Sequence, residues 1–347
     1  LPAFSILQFD PLKQSGPALR VERDTPVESK PIEDVRCRFR TCYPTEVLPL
    51  DLTALNYSVK GGGALLSLRL EMSCDGHIGE LNLSRLRLHL AGERYISQML
   101  YLSLLRNLEG IELVPLGVDG EPLAGVNGVG MSFKIPGNRV QPVGFAEEEA
   151  LIPYPLNTFR GYRYLQEYFA LQDKFLFVDL SGLDLLQRLA QDILQRMHGL
   201  ELRFDIRNSG VQRLRPTLDN VKLYCTPIVN LFKHDALPIR LDGKQDEYLL
   251  LPAKYELEHC GVFSIESVTG WKPGGLGYQA YVPFESFEHD PSFDVPHSRP
   301  HYSIRQRSSL LHDGLDTYLS FGIRHTDAQE TLSIELMCTN QNLPRKL

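Results

Sequence analysis

Apolar and polar residues alternate with period two over much of the chain. In "LSLRLEM", Leu66, Leu68, Leu70 and Met72 share one face, and Ser67, Arg69 and Glu71 share the other. "LRLHL" sets Leu86, Leu88 and Leu90 against Arg87 and His89. "LELRFDIR" sets Leu200, Leu202, Phe204 and Ile206 against Glu201, Arg203, Asp205 and Arg207. Leu319, Phe321 and Ile323 alternate in the same way, as do Leu332, Ile334 and Leu336. Period two places successive side chains on opposite faces, so these segments read as half-buried strands. "FLFVDL" (175–180) is apolar on both faces and reads as a central strand.

Helical spacing occurs three times. Residues 93–108 carry Tyr95, Ile96, Met99, Leu100, Leu104 and Leu108. Residues 184–198 carry Leu185, Leu186, Leu189, Ile193 and Met197, with Gly199 as the expected stop. After a polar start at Asn157–Thr158, a third helix carries Phe159, Tyr162, Leu165 and Phe169. These four are expected to pack on the sheet that contains 175–180, through a short turn at 172–174. Arg160, Arg163, Tyr164 and Tyr168 then fall off the buried stripe. They read either as a solvated or salt-bridged face, with Glu147–Glu149 or Glu167 as partners, or as a joint to another surface.

One pattern recurs. "LRLHLAG" is followed by 17 residues and "GIEL", and "LFVDLSG" by 16 residues and "GLEL". Each copy reads as strand, turn at Gly92 or Gly182, helix, glycine stop at Gly110 or Gly199, strand. Matched frames predict one local topology, and the same side of the strands for both helices. Residues 13–34, 117–147 and 271–302 read as irregular. The whole is an α+β, β-rich chain: antiparallel sheets or sandwiches, a few amphipathic helices, long loops and two similar strand-helix-strand units. Domain boundaries are expected near 145 and 260, giving 1–145, 146–260 and 261–347.

Composition narrows the function. The chain has 347 residues, 43% hydrophobic and 23% charged, with a net charge of −7. An acidic balance argues against a general nucleic-acid binder. "RCRFR" puts Arg36, Arg38 and Arg40 on one strand face without the aromatic interleaving that base stacking needs. No apolar run reaches membrane-spanning length, and "LPAFSILQFD" has neither the basic region nor the cleavage site of a signal peptide. It also lacks an initiator Met, so the chain is expected to belong to a longer one. Six cysteines form no CxxC pair and read as reduced thiols of a cytosolic protein.

Catalytic patterns are wanting. "GVNGVG" (125–130) leads into Met131, Ser132, Phe133 and Lys134, which read as a strand, whereas a phosphate loop opens a helix. His289, His297, His301 and His312, beside Asp290, Asp294 and Asp313, lack metal-ligand spacing and read as a solvated loop. "EHC" (258–260) is a weak thiol–imidazole pair, and no G-x-S-x-G elbow occurs. No enzyme, cofactor or metal is therefore expected. β-richness and acidic loops leave one alternative, a carbohydrate-binding or hydrolytic β-sandwich, on fold analogy alone.

Longer motifs carry a resemblance. "GFAEEEALIPYPLNTFRGYRYLQEYFALQDKFLFVDLSGL" (144–183), "CRFRTCYPTEVLPL" (37–50), "LRLHLAG" (86–92), "LYCTPIVNLFKHDALPIRLD" (223–242), "FSIESVTG" (263–270) and "ELMCTNQNLP" (335–344) follow one another along the chain. Together they resemble the TssF (ImpG/VasA) family, baseplate proteins of the bacterial type VI secretion system. The resemblance implies the central part of a longer subunit and no catalytic residues. It implies a wedge in which two TssF copies pair with one TssG, carry TssE and dock on TssK. Such wedges close around the spike hub and template the contractile sheath. The implied location is the cytoplasm, docked at the inner membrane through the assembled machine. Within that picture Arg160, Arg163, Tyr164 and Tyr168 are the candidate interface residues.

Overall fold

The computed structural model describes residues 1–14, 16–125, 130–154, 159–207, 214–241, 245–254, 259–271, 277–284, 300–310, 314–321 and 330–347. Strands dominate, and among the described residues the strand pairs of known register are antiparallel apart from Tyr278–Pro283 with His301–Ser308. The α+β, β-rich reading holds. Contacts divide the chain into two units that interleave in sequence. The larger holds 4–25 and 41–228; the smaller holds 1–3, 26–40 and 229–347. Residue 145 thus falls inside the larger unit and 260 inside the smaller, unlike the division drawn from loop composition. Loop composition is blind to strands that pair across 90 residues, which is what joins the two sides of residue 145.

Two main sheets share one continuous core in the larger unit, which also holds the strand pair Leu19–Val21 and Thr45–Val47. The five-stranded sheet runs Phe133–Pro136, Leu108–Leu116, Gly199–Arg207, Gly63–Met72, Leu50–Lys60. The four-stranded sheet runs Val140–Pro142, Phe177–Ser181, Arg85–Leu90, Val221–Leu223. Leu66, Leu68, Leu70, Leu88, Leu113, Leu200, Leu202 and Phe204 all sit in that core, as the period-two alternation requires. In Arg85–Leu90 the polar face is covered as well: His89 is buried, and Arg87 is half-buried.

The recurring frames pair with each other. Arg85–Leu90 lies antiparallel to Phe177–Ser181, and Leu108–Leu116 antiparallel to Gly199–Arg207. Leu88 faces Val178, its counterpart in the second frame, and Leu113 faces Leu202, its counterpart too. Each pair therefore sets equivalent residues of the two frames opposite one another. Gly92 and Gly182 share left-handed φ values of 84° and 90°, a conformation that needs no Cβ. Both copies cross from the four-stranded to the five-stranded sheet.

Their helices differ. α1 (Arg94–Arg106) is one regular helix, whereas the second copy breaks into a 3-10 segment, Leu183–Arg188, and a short α3, Gln191–Arg196. Extended backbone at Leu189 and Ala190 separates the two. α1 packs on strands of both sheets, and α3 packs on the 3-10 turn Ile78–Glu80. The expected glycine stops are not stops. α1 ends at Asn107 and α3 at Met197; Gly110 and Gly199 lie in strands. At Gly199 a Cβ would come 2.8 Å from the Leu70 carbonyl oxygen, so close strand approach explains the glycine.

The smaller unit is built on a further sheet with its own core. Its central strands are Glu330–Thr339 and Gly261–Trp271, and the order continues through Tyr278–Pro283, His301–Ser308 and Leu315–Phe321. Residues Pro26–Ile32, which lie in a stretch read as irregular, form a hairpin with Val35–Thr41. Its proline and lysine content masks it as a loop; both are common on exposed strands. Asn230 and Asn340, from two of the recognised motifs, are fully buried and bond each other. Asn230 also donates to the Arg38 carbonyl, and Asn340 accepts from the Arg38 amide, at 2.7 and 2.8 Å. Three motifs thus meet in one amide clasp. Its role is structural, since every polar atom named is spent inside the fold.

Candidate functional site: an inverted amphipathic helix

α2 (Arg160–Ala170) forms where helical spacing places it, with the opposite face inward. Phe159, Tyr162, Leu165 and Phe169 are 72, 67, 56 and 76% exposed. The buried residues of this helix are Arg163 and Glu167. The expectation that the apolar four pack on the sheet is overturned.

The reason lies in the loop below. Residues 144–151 run under α2 with backbone groups that no strand satisfies. Leucine or phenylalanine cannot bond them; charged side chains can. Arg163 donates to the Phe145 and Ala146 carbonyls at 2.9 and 3.1 Å. Glu167 accepts from the Leu151 amide at 2.8 Å. Lys174, fully buried, donates to the Glu149 carbonyl at 3.0 Å and pairs with the Glu167 carboxylate. Glu149 in turn accepts from the Gly144 and Ala146 amides. Burial pushes the Lys174 ammonium below its usual range, and the Glu167 charge opposes this.

This charged floor rests on a further ion pair. Arg87 grips Asp179 with two bonds of 2.7 and 2.8 Å and lies over the Tyr43 ring. The Tyr43 hydroxyl donates to the Lys174 carbonyl. Burial holds the Tyr43 hydroxyl well above its ordinary pKa, with the Glu149 charge adding to it. His89 stacks on Phe177 at 4.3 Å and bonds the backbone of Asp173. Burial lowers its pKa to about 4.

Of the four candidate residues, Arg160 is exposed and pairs with Glu147. Arg163 is 5% exposed, so its guanidinium is committed to the floor and cannot meet a partner. Tyr164 donates to the Phe145 carbonyl at 2.7 Å, and Tyr168 is exposed. The residues that do face outward are the apolar ones assigned to the core. One signal for this was present in the sequence. Arg163 and Glu167 stand at i, i+4 opposite a loop of three glutamates, which marks a polar inner face.

Beside α2 runs a groove of about 510 Å³. Arg94, Gln98 and Tyr101 of α1 form one wall, and Tyr164, Leu165 and Tyr168 of α2 the other. Phe145 and Phe175 also line it, with ring centroids 5.1 Å apart. The surface offers apolar contact rather than chemistry. Among the described residues no three potential ligands gather for a metal, and no helix is long and apolar enough to cross a membrane. His289, His297 and His312 with their neighbouring aspartates, most of "GVNGVG", and Glu258 of "EHC" lie outside the described residues. Cys260 is buried within its sheet's core, against Cys338.

Comparison with known proteins identifies the family. The chain is 27% identical over 382 aligned residues to "Type VI secretion system component TssF1" of Pseudomonas aeruginosa, covering 99% of this chain and 58% of that protein. Its fold matches a chain of the type VI secretion system TssK-TssF-TssG baseplate subcomplex, solved by cryo-electron microscopy. The TM-score is 0.79 at 28% identity, over 100% of this chain and 61% of the other. The chain therefore spans about three-fifths of the length of these relatives. The family model described as "Type VI secretion system, TssF" matches residues 1–347. With every residue inside that match, the chain belongs to the TssF family of the type VI secretion system.

Proposed function

We propose that the chain is a structural subunit of a type VI secretion baseplate, holding TssG-like and TssK-like subunits in place. The observation that carries this is α2: a helix anchored by its charges and presenting Phe159, Tyr162, Leu165 and Phe169 outward. Aromatic and arginine-rich surfaces are characteristic of protein contacts, and Arg160, Tyr164 and Tyr168 flank this one. Arg163 serves it from below. The same reading extends to a second copy of the chain, a TssE-like subunit and the spike hub as further neighbours. It places the protein in the cytoplasm, docked at the inner membrane through the machine, and assigns it no reaction and no cofactor. The relative solved with TssK and TssG supports the first two partners.

The test is co-expression of the full-length protein with the TssG-like and TssK-like subunits of the same bacterium, followed by native mass spectrometry. A stoichiometric complex is expected. Separate elution of all three at micromolar concentration would sink the reading.

A further inference from the structure

The smaller unit places two thiols side by side where its central ladder begins. Glu330–Thr339 and Gly261–Trp271 run antiparallel, with Gly261 opposite Thr339 and Val262 opposite Cys338. Cys260 precedes the first paired residue, so it stands diagonally across the ladder from Cys338. Both side chains belong to one core, at 1 and 0% exposure. Their thiols are hydrogen-bonded to each other. Among the described residues no third potential metal ligand joins them. The chemistry that two adjacent thiols share is oxidation to a disulfide.

The pair is not symmetric. The bond to Cys260, with burial adding to it, holds the Cys338 thiol well above its ordinary range. Cys338 therefore keeps its proton and offers it to the Cys260 sulfur. A sulfur that accepts an S–H bond is the one better placed to carry negative charge. Cys260 is thus the attacking thiol and Cys338 the resolving one.

Access comes from the end of the ladder. The register shifts between Val262 and Ser264, and the pairs at Gly261 and Val262 lie beyond that bulge. The residue before Cys260 is tied by the Asn340 side-chain nitrogen, which donates to the His259 carbonyl at 3.1 Å. A short ladder end of this kind opens locally at far lower cost than the whole sheet. Opening two pairs bares Cys260 and Cys338 while the ladder from Ser264 onwards stays closed. Asn340 also belongs to the amide clasp, bonded to Asn230 and to the Arg38 amide. A covalent link at this point would fasten the loose end beside that clasp.

We infer that Cys260 and Cys338 form a redox pair, which a hydroperoxide converts to a disulfide that fastens the open end of the ladder next to the Asn230–Asn340 clasp. The inference is independent of the assembly reading. The Cys260 sulfur attacks the outer peroxide oxygen, the O–O bond breaks, and the departing alkoxide takes up the thiol proton. Cys260 becomes a sulfenic acid and the peroxide an alcohol. The Cys338 sulfur then attacks the Cys260 sulfur, and its proton leaves with the hydroxide as water. Two thiols and one hydroperoxide give one disulfide, one alcohol and one water.

The test treats the reduced full-length protein, in native buffer, with tert-butyl hydroperoxide. Remaining thiols are then alkylated, and the protein is digested without reduction for mass spectrometry. A peptide pair joined through Cys260 and Cys338 should appear before any other linked pair, and dithiothreitol should undo it. Cys74, the one cysteine of the six that is not buried, controls for reactivity set by exposure alone. Hydrogen exchange over 259–264 and 336–341 should slow in the linked protein. Cys338→Ala should halt the reaction at a Cys260 sulfenic acid, caught as its dimedone adduct, and Cys260→Ala should leave Cys338 a free thiol. The wild-type linkage decides the matter if either variant fails to fold. Oxidation of Cys74 without the Cys260–Cys338 link overturns the inference, as does a link that forms only in denaturant. Unchanged exchange in the linked protein overturns the fastening, and a dimedone adduct on Cys338 in Cys260→Ala overturns the assigned roles.

Discussion

α1 and α2 stand side by side, and each follows a 3.6-residue period, yet they are anchored by opposite chemistry. α1 buries Leu100 and Leu104 and is held by burial of apolar area. α2 buries Arg163 and Glu167 and is held by bonds to a loop. The lesson is that an amphipathic helix has no intrinsic inner face. Whichever surface lies beneath it selects the face that turns inward. Over a sheet that face is apolar; over a loop with open carbonyls and amides it is charged. The second arrangement leaves an apolar stripe free for another molecule.

The sharpest way to break the comparison is to remove the charged anchor. Glu167→Ala leaves Lys174 and Arg163 buried without their counter-charge and should destabilise the larger unit by ~3–5 kcal/mol in chemical denaturation. A change under ~1 kcal/mol would mean that the ions are solvated and the anchor unimportant. Leu100→Ala, the matching deletion in α1, should cost ~2–5 kcal/mol through transfer and cavity terms.

Acid should separate the two helices. His89, whose ring bonds the Asp173 backbone just beyond α2, has a pKa lowered to about 4 from an ordinary value near 6.5. Above pH ~6.5 it is neutral in native and unfolded chains alike and contributes no pH dependence. As pH falls from there towards 4, the unfolded chain binds a proton that the native chain refuses. Stability is then lost by roughly 3 kcal/mol, at about 1.4 kcal/mol per pKa unit. His89→Gln should flatten that part of the stability curve. Hydrogen exchange across the same range should open 160–176 before 94–106.

The smallest expected effect is the most telling. Leu165→Ala and Phe169→Ala remove exposed side chains and should change stability by under ~0.5 kcal/mol each. A loss of 2 kcal/mol in either would return the apolar face of α2 to the core.

These contrasts show what the sequence made legible. Period two located the strands because burial on one face of a sheet writes itself directly into alternation. The repeated frames were visible because both copies need the left-handed glycine at 92 or 182. α2 was found as a helix and turned the wrong way, because its neighbour 144–151 carries no periodicity and its demand for bonds lies in backbone atoms. The break at 189–190 was hidden, since Leu185, Leu189 and Ile193 keep helical spacing through a segment whose backbone is extended there. The hairpin 26–41 was read in part, as its arginine-bearing second strand alternates and its first does not.

The pairing of the two frames also fixes an order of events during synthesis. Residues 85–116 emerge from the ribosome with both strands lacking their central neighbours, which are supplied only when 177–207 follow. At roughly 5–20 residues per second that interval lasts on the order of 5–20 s. Throughout it, two apolar strand edges stand open, and the missing neighbours have near-matching sequences in any other nascent copy. A second chain at the same stage offers the same frames, so exchange of halves between copies competes with correct closure. Slower translation or crowded polysomes should therefore raise the yield of intertwined dimers. A pause near residue 116 should raise the dimer yield more than one after residue 223, where Arg85–Leu90 has gained both neighbours.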